Sequence, residues 1–294
     1  MGKLQHMISN IFKTSNIGTI IFFVLNFMIL FCIFGGASGG NPSGIITLVM
    51  VYIISLALSF SSIGQAVLCH LNGARKIVRL DMRERVIPVV EEVYLAAKHK
   101  TPELPDRINV RIMYDPNPNA FAIGTNTICV TEGMLDMPDN LMAGIIAHEL
   151  GHLALQHTVI QILIGGGNLI MTGIMLFLEV LKNIFAISTV AGSYKKRSAE
   201  SEVGVFLAAI SAGVIYLWTK FCMLILRGSS RANEYAADAY AFEIGYGDDL
   251  AEALDRLTMG TPQATLLKML SSTHPEPGDR IGRLQSMGAT YSRY

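Results

Sequence analysis

The sequence predicts an α+β fold, mainly helical with a small sheet, and adds transmembrane helices to it. Three observations predict this. Half of the 294 residues are hydrophobic (51%) and only 16% are charged, against about 25% charged in an average soluble domain. The mean hydropathy is +0.42. The polar remainder mixes helical periodicity with short alternating runs, and shows no repeat of fixed period. Such a length suits one modest domain plus membrane segments. The formal net charge is zero, which offers no case for a nucleic-acid partner.

The membrane elements come first in the chain. No charged residue occurs between Lys13 and Arg75. That interval holds two apolar blocks, Ile17–Phe34 and Ile45–Ile63, separated by Gly35-Gly36-Ala37-Ser38-Gly39-Gly40-Asn41-Pro42, a turn-forming run. Each block is about long enough to cross about 30 Å of hydrocarbon as a helix, so residues 1–70 read as a transmembrane hairpin. A secretory signal ending near Ala37 is the competing reading of the first block. Two further apolar stretches, at about 158–180 and 203–226, interrupt the remainder, residues 71–294. Lys3 and Lys13 precede the hairpin, while Arg75, Lys76, Arg79, Arg83 and Arg85 follow it. The excess of basic residues places both ends of the hairpin in the cytoplasm. Lys195-Lys196-Arg197, between the two later stretches, disagrees if both of those span, and leaves a re-entrant or shallow pair open.

The polar portion reads in order. Leu80–Lys100 is an amphipathic helix, with Val86, Val89, Val90, Val93 and Leu95 recurring on its apolar side. Ile108–Met113 alternates as a strand. Asn119–Ile123 and Thr127–Thr131 are two strands joined by Gly124-Thr125-Asn126, a hairpin signal. Residues 138–157 are helical, with Asp139 or Asn140 as cap. Further helices are expected over Arg231–Tyr246, Gly247–Met259 and Thr261–Leu270. The four cysteines, Cys32, Cys69, Cys129 and Cys222, are scattered, with no CxxC pair to cage a metal.

The chemistry lies in His148-Glu149-Leu150-Gly151-His152. On a helix, residues four apart share one face, so two imidazoles can reach one zinc ion. Glu149, beside the first ligand, is placed to act as general base on water. A catalytic zinc takes three protein ligands and keeps one open position. Glu234, on an alanine-rich helix, is the best third ligand, with Asp238 one turn on to accept the second ring N–H of a ligand histidine. The alternative for both acids is a solvated acidic face. His157 competes weakly as a ligand, since at five residues from His152 it turns to another face.

Four segments together resemble the HtpX-like peptidases of family M48: Ala147–His152, Glu234–Asp238 after Ser230-Arg231, His274-Pro275 with Arg280, and Asn119-Ala120-Phe121. The order and rough spacing match over most of the chain. The resemblance implies a zincin-like catalytic domain holding one zinc through His148, His152 and Glu234. It makes Glu149 the general base and Asp238 an outer partner of a ligand, and places His274 and Arg280 near the cleft. It also implies a multi-pass enzyme of a bacterial-type plasma membrane, with its catalytic domain facing the cytoplasm. Its substrates would be polypeptides, membrane or misfolded proteins, cut in quality control. A dedicated processing protease and a non-catalytic metal-binding scaffold are the alternatives.

Overall fold

The computed structural model describes residues 42–160, 231–259 and 275–293, together with positions 20, 21, 24, 25, 27, 28, 31, 162, 213 and 217. The expected stretches at 158–180 and 203–226 therefore fall almost wholly outside the described residues, as do Thr261–Leu270 and His274. By internal contacts the chain divides into two units. One comprises Met1–Ile17, Leu58–Leu163 and Ser229–Tyr294; the other comprises Gly18–Ala57 and Ile164–Gly228.

The second unit carries most of helix α1, Pro42–Phe60. Its Tyr52 ring meets Phe27 edge-on, with centroids 6.1 Å apart. Apolar side chains of α1 such as Ile46, Met50, Ile53 and Ile54 are exposed. Among the described residues no single helix is long and apolar enough to cross a membrane. Val49–Phe60 and Ser62–Leu71, a bent pair broken at Ser61, pass that test together.

The first unit is mainly helical around a small mixed sheet. Helix α2, Ser62–Leu71, starts where the Ser61 hydroxyl caps the Gly64 amide. Strand β1, Arg75–Lys76, precedes helix α3, Leu80–Lys100. The expected valines of α3 are buried, but Leu95 is 67% exposed. It follows Val93 by two residues, about 200° around the helix, so it points to the opposite side. Strands β2 (Asn109–Met113), β3 (Ala120–Ile123) and β4 (Thr127–Thr131) complete a sheet of order β1-β2-β4-β3. β3 and β4 form the expected antiparallel hairpin; β2 joins β4 in parallel and β1 antiparallel. Every residue of β4 is buried, whereas β3 closes the sheet at one edge.

Helix α4, Asp139–Ala154, runs through the core of this unit, and every residue from Leu141 to Gly151 is buried. Such all-round burial belongs to a central helix. Neither expected cap is used: Pro138 holds the cap position with no side-chain bond, and Asp139 already lies in the first turn, where its charge favours the positive helix end. Helix α5 covers 231–243, α6 is Gly247–Met259 and α7 is Pro277–Met287. The α4–α6 crossing is close at Gly144, where an added Cβ would lie 2.4 Å from the Leu250 amide nitrogen. The expected helix over 138–157 is broken in the structure. Gln156 takes a left-handed φ of 61° and is the non-glycine residue with positive φ among those described. That conformation costs about 1–2 kcal/mol in a residue with a Cβ, and a new helical turn then begins at His157.

Candidate metal centre

Three elements deliver the site. α4 supplies His148, Glu149 and His152. α5 supplies Glu234 and Asp238, one turn apart on one face. α7 supplies Arg280. Gly151 sets the separation of α4 from α5: a Cβ there would stand 3.1 Å from Ala237 Cα and 3.2 Å from Tyr240 Cβ. The Tyr240 hydroxyl fixes α5 from the other side, bonding Ala97 O at 3.1 Å and the Thr101 hydroxyl at 3.0 Å. α7 is anchored by the tail that follows it, where Asp248 accepts the amides of Thr290 and Tyr291. The Arg283 guanidinium also lies 3.8 Å over the Tyr235 ring of α5.

His148 Nε2, His152 Nε2 and a carboxylate oxygen of Glu234 converge. The two ring nitrogens are 3.1 Å apart, and each is 3.4 Å from a Glu234 oxygen. Ligand atoms held 2.0–2.1 Å from a tetrahedral zinc are separated by about 3.3–3.4 Å. Glu234 turns Oε2 toward His148 and Oε1 toward His152, so the triangle is one of residues, with one ligand atom from each within 4.8 Å of the others, and these residues can hold a metal. Glu234 and Asp238 are 4% and 1% exposed, so the solvated acidic face is ruled out for both.

Each imidazole is held by its other nitrogen. His148 Nδ1 lies 2.8 Å from Asp238 Oδ1. Arg280 grips Asp238 in a fork, Nε to Oδ2 at 2.8 Å and Nη2 to Oδ1 at 2.6 Å. Arg280 is itself buried, and its Nη2 also lies 3.2 Å from His148 Nδ1 and 3.4 Å from His148 Nε2, so it meets the ring directly as well as through this carboxylate. Its guanidinium holds the Asp238 carboxyl below the usual carboxylate range, against the opposing pull of burial. His152 Nδ1 meets His157 Nδ1 at 2.9 Å. Glu149 Oε2 accepts the Ala122 amide of β3 at 2.8 Å. Asn119 lies exposed at the head of β3, its backbone bonded to Thr131.

Burial lowers the His148 pKa, but the Asp238 and then the Glu234 carboxylates outweigh it and carry it up to about 9, from about 6.5 in the unfolded chain. Protonated His148 therefore stabilises the metal-free fold fully below about pH 6.5, and that contribution is lost as pH rises through about 9. A metal has to displace this proton. Apparent metal affinity is expected to climb about tenfold per pH unit between those limits. Calorimetric titration at pH 7.5 in buffers of different ionisation enthalpy should show a proton released from this site; heats independent of buffer would contradict it.

Two residues of the site were not legible from spacing. His157 returns to His152 only because Gln156 breaks the helix. The Arg280–Asp238 pair joins residues 42 positions apart in the chain.

A buried helix with paired histidines and an intervening glutamate, faced by a carboxylate helix and flanked by an edge strand, is the construction of a peptidase. The chain belongs to peptidase family M48, whose sequence profile matches residues 82–288. It is similar to the protease HtpX homolog of Dictyoglomus thermophilum, 28% identical over 92% of this chain and 91% of that one. The HtpX homolog of Caldanaerobacter subterraneus subsp. tengcongensis is 30% identical over 68% of this chain and 70% of its own length. A crystal structure of S. mikatae Ste24p aligns over 96% of this chain and 67% of that one, with a TM-score of 0.49 and 16% identity.

Proposed function

We propose that this protein is a membrane-bound zinc endopeptidase. Zinc would sit between His148, His152 and Glu234, where it supplies Lewis acidity toward water and the scissile carbonyl. The observation that carries this reading is the convergence of His148 Nε2 and His152 Nε2, 3.1 Å apart, on the two Glu234 oxygens, each 3.4 Å from one of them, with Glu149 beside them.

The chain's own groups account for the proton movements. Glu149 takes a proton from the attacking water as the new C–O bond forms, and hands it to the amine nitrogen as the C–N bond breaks. Its Oε2 is steadied by the Ala122 amide, leaving Oε1 as the base. That bond also means that the Ala122 N–H faces away from β4, toward the open edge of the sheet. An extended substrate segment laid along this edge as an added strand is read by its backbone more than its side chains, which suits broad specificity. Asn119 lies at the start of the same edge.

Residues 1–70 are the proposed transmembrane hairpin, supported by the exposed apolar side chains of α1 and the charge-free interval that contains it. The basic residues after it favour a catalytic domain in the cytoplasm. Substrates are then exposed or misfolded segments of membrane proteins, and the role is quality control. A direct test incubates detergent-solubilised protein with a destabilised membrane protein, with and without a zinc chelator. Fragments are expected, lost on chelation and restored by added zinc. An intact substrate in all arms would overturn the reading. Membrane proteomes with and without the active enzyme separate quality control, in which many substrates accumulate, from dedicated processing, in which one does.

A further inference from the structure

We propose that His157 is the positioning residue of His152: its Nδ1 accepts the His152 Nδ1–H and so aims His152 Nε2 into the metal triangle. This rests on the zinc reading above. If His152 Nε2 gives its lone pair to a metal, the neutral ring carries its proton on Nδ1. The atom facing that proton is His157 Nδ1 at 2.9 Å, so His157 must be the acceptor there and carry its own proton on Nε2. The rings stand at 68°, with centroids 5.1 Å apart, and His157 is 8% exposed.

The backbone is built for this contact. In an unbroken helix His157 would lie about 140° around the axis from His152, out of reach. Instead α4 closes with Leu155 N on Gly151 O and Gln156 N on Leu153 O, and the next turn starts with Ile160 N on Gln156 O. The left-handed φ of 61° at Gln156 lies between them and carries His157 back to His152. A residue with a Cβ keeps such a conformation where the surrounding contacts over-determine it, and such residues cluster at functional sites. The two histidine ligands are thus held differently. His148 has a carboxylate clamped by Arg280, whereas His152 has a second imidazole.

The test compares His157→Phe, which keeps a ring without an acceptor, with His157→Asn, whose Oδ1 occupies the place of Nδ1. Zinc affinity is read by chelator competition without substrate, and kcat and KM are read separately at saturating zinc. His157→Phe is expected to lose zinc affinity about 10–100-fold and to lower kcat with KM little changed. His157→Asn is expected to recover most of both. Parent-like zinc affinity in the phenylalanine variant would overturn the proposal, as would a folded asparagine variant as poor as phenylalanine, which would mark packing alone. If the phenylalanine variant does not fold, zinc retention by the asparagine variant against its loss decides the matter. A parent protein that binds zinc but cleaves nothing refutes the protease reading and leaves this inference standing. A parent that takes up no zinc refutes both.

Discussion

Glu149→Gln is expected to keep its zinc and to lose cleavage by about 10²–10⁴-fold, the usual weight of a general base. The substitution replaces one carboxylate oxygen by an amide nitrogen and leaves the three proposed ligands untouched. Glutamine can still accept the Ala122 amide through its remaining oxygen, so β3 keeps its tie to α4. What disappears is a basic oxygen able to take a proton from water. The loss should fall on kcat with KM little changed, because the edge strand that receives the substrate is intact. Zinc content and thermal unfolding, measured beside cleavage, separate this outcome from collapse of the site. Unchanged cleavage would remove Glu149 from the mechanism. A metal-binding scaffold, which has no use for a base, would instead show itself as a parent protein that holds zinc and cleaves nothing.

Glu234→Ala is expected to weaken zinc binding by about a hundredfold or more, taking roughly 3 kcal/mol as one ligand's share of a four-coordinate site. Both Glu234 oxygens take part in the triangle, one toward each histidine. Removing the carboxylate leaves two ring nitrogens and the Arg280 guanidinium, whose Nη1 lies 3.9 Å from Glu234 Oε2, with less negative charge between them. The fold should persist, since Asp238 keeps both its fork with Arg280 and its bond to His148. Activity should return in part at high zinc concentration, which a loss of the base could not show. Full zinc occupancy in this variant, at zinc near the parent's dissociation constant, would assign the third ligand elsewhere.

The pair His148 and His152 could be read from the chain because a helix converts a spacing of four into a shared face. Asp238 could be read for the same reason once Glu234 was placed. The buried valines of α3 and the β3–β4 hairpin followed from period and turn chemistry, which are local. What stayed hidden depends on tertiary contact. Leu95 fits a helical list by composition but faces solvent. Strand β1 is two residues long and exists through its pairing with β2. The parallel contact between β2 and β4 spans the whole of β3 and its turns. His157 was hidden for the most specific reason, a single left-handed residue, Gln156, at a position where glycine would have been the visible signal. Arg280 sits beside Asp279 in sequence, a local partner that conceals the buried one on α5.

X-ray absorption at the zinc edge of the purified, full-length protein tests the central claim most directly. Expected is one zinc per chain, surrounded by nitrogen and oxygen at about 2.0–2.1 Å, with the outer-shell scattering of two imidazole rings, falling to one ring in His152→Ala. A sulfur neighbour at about 2.3 Å, or a spectrum unchanged in that variant, would contradict the His148–His152–Glu234 centre.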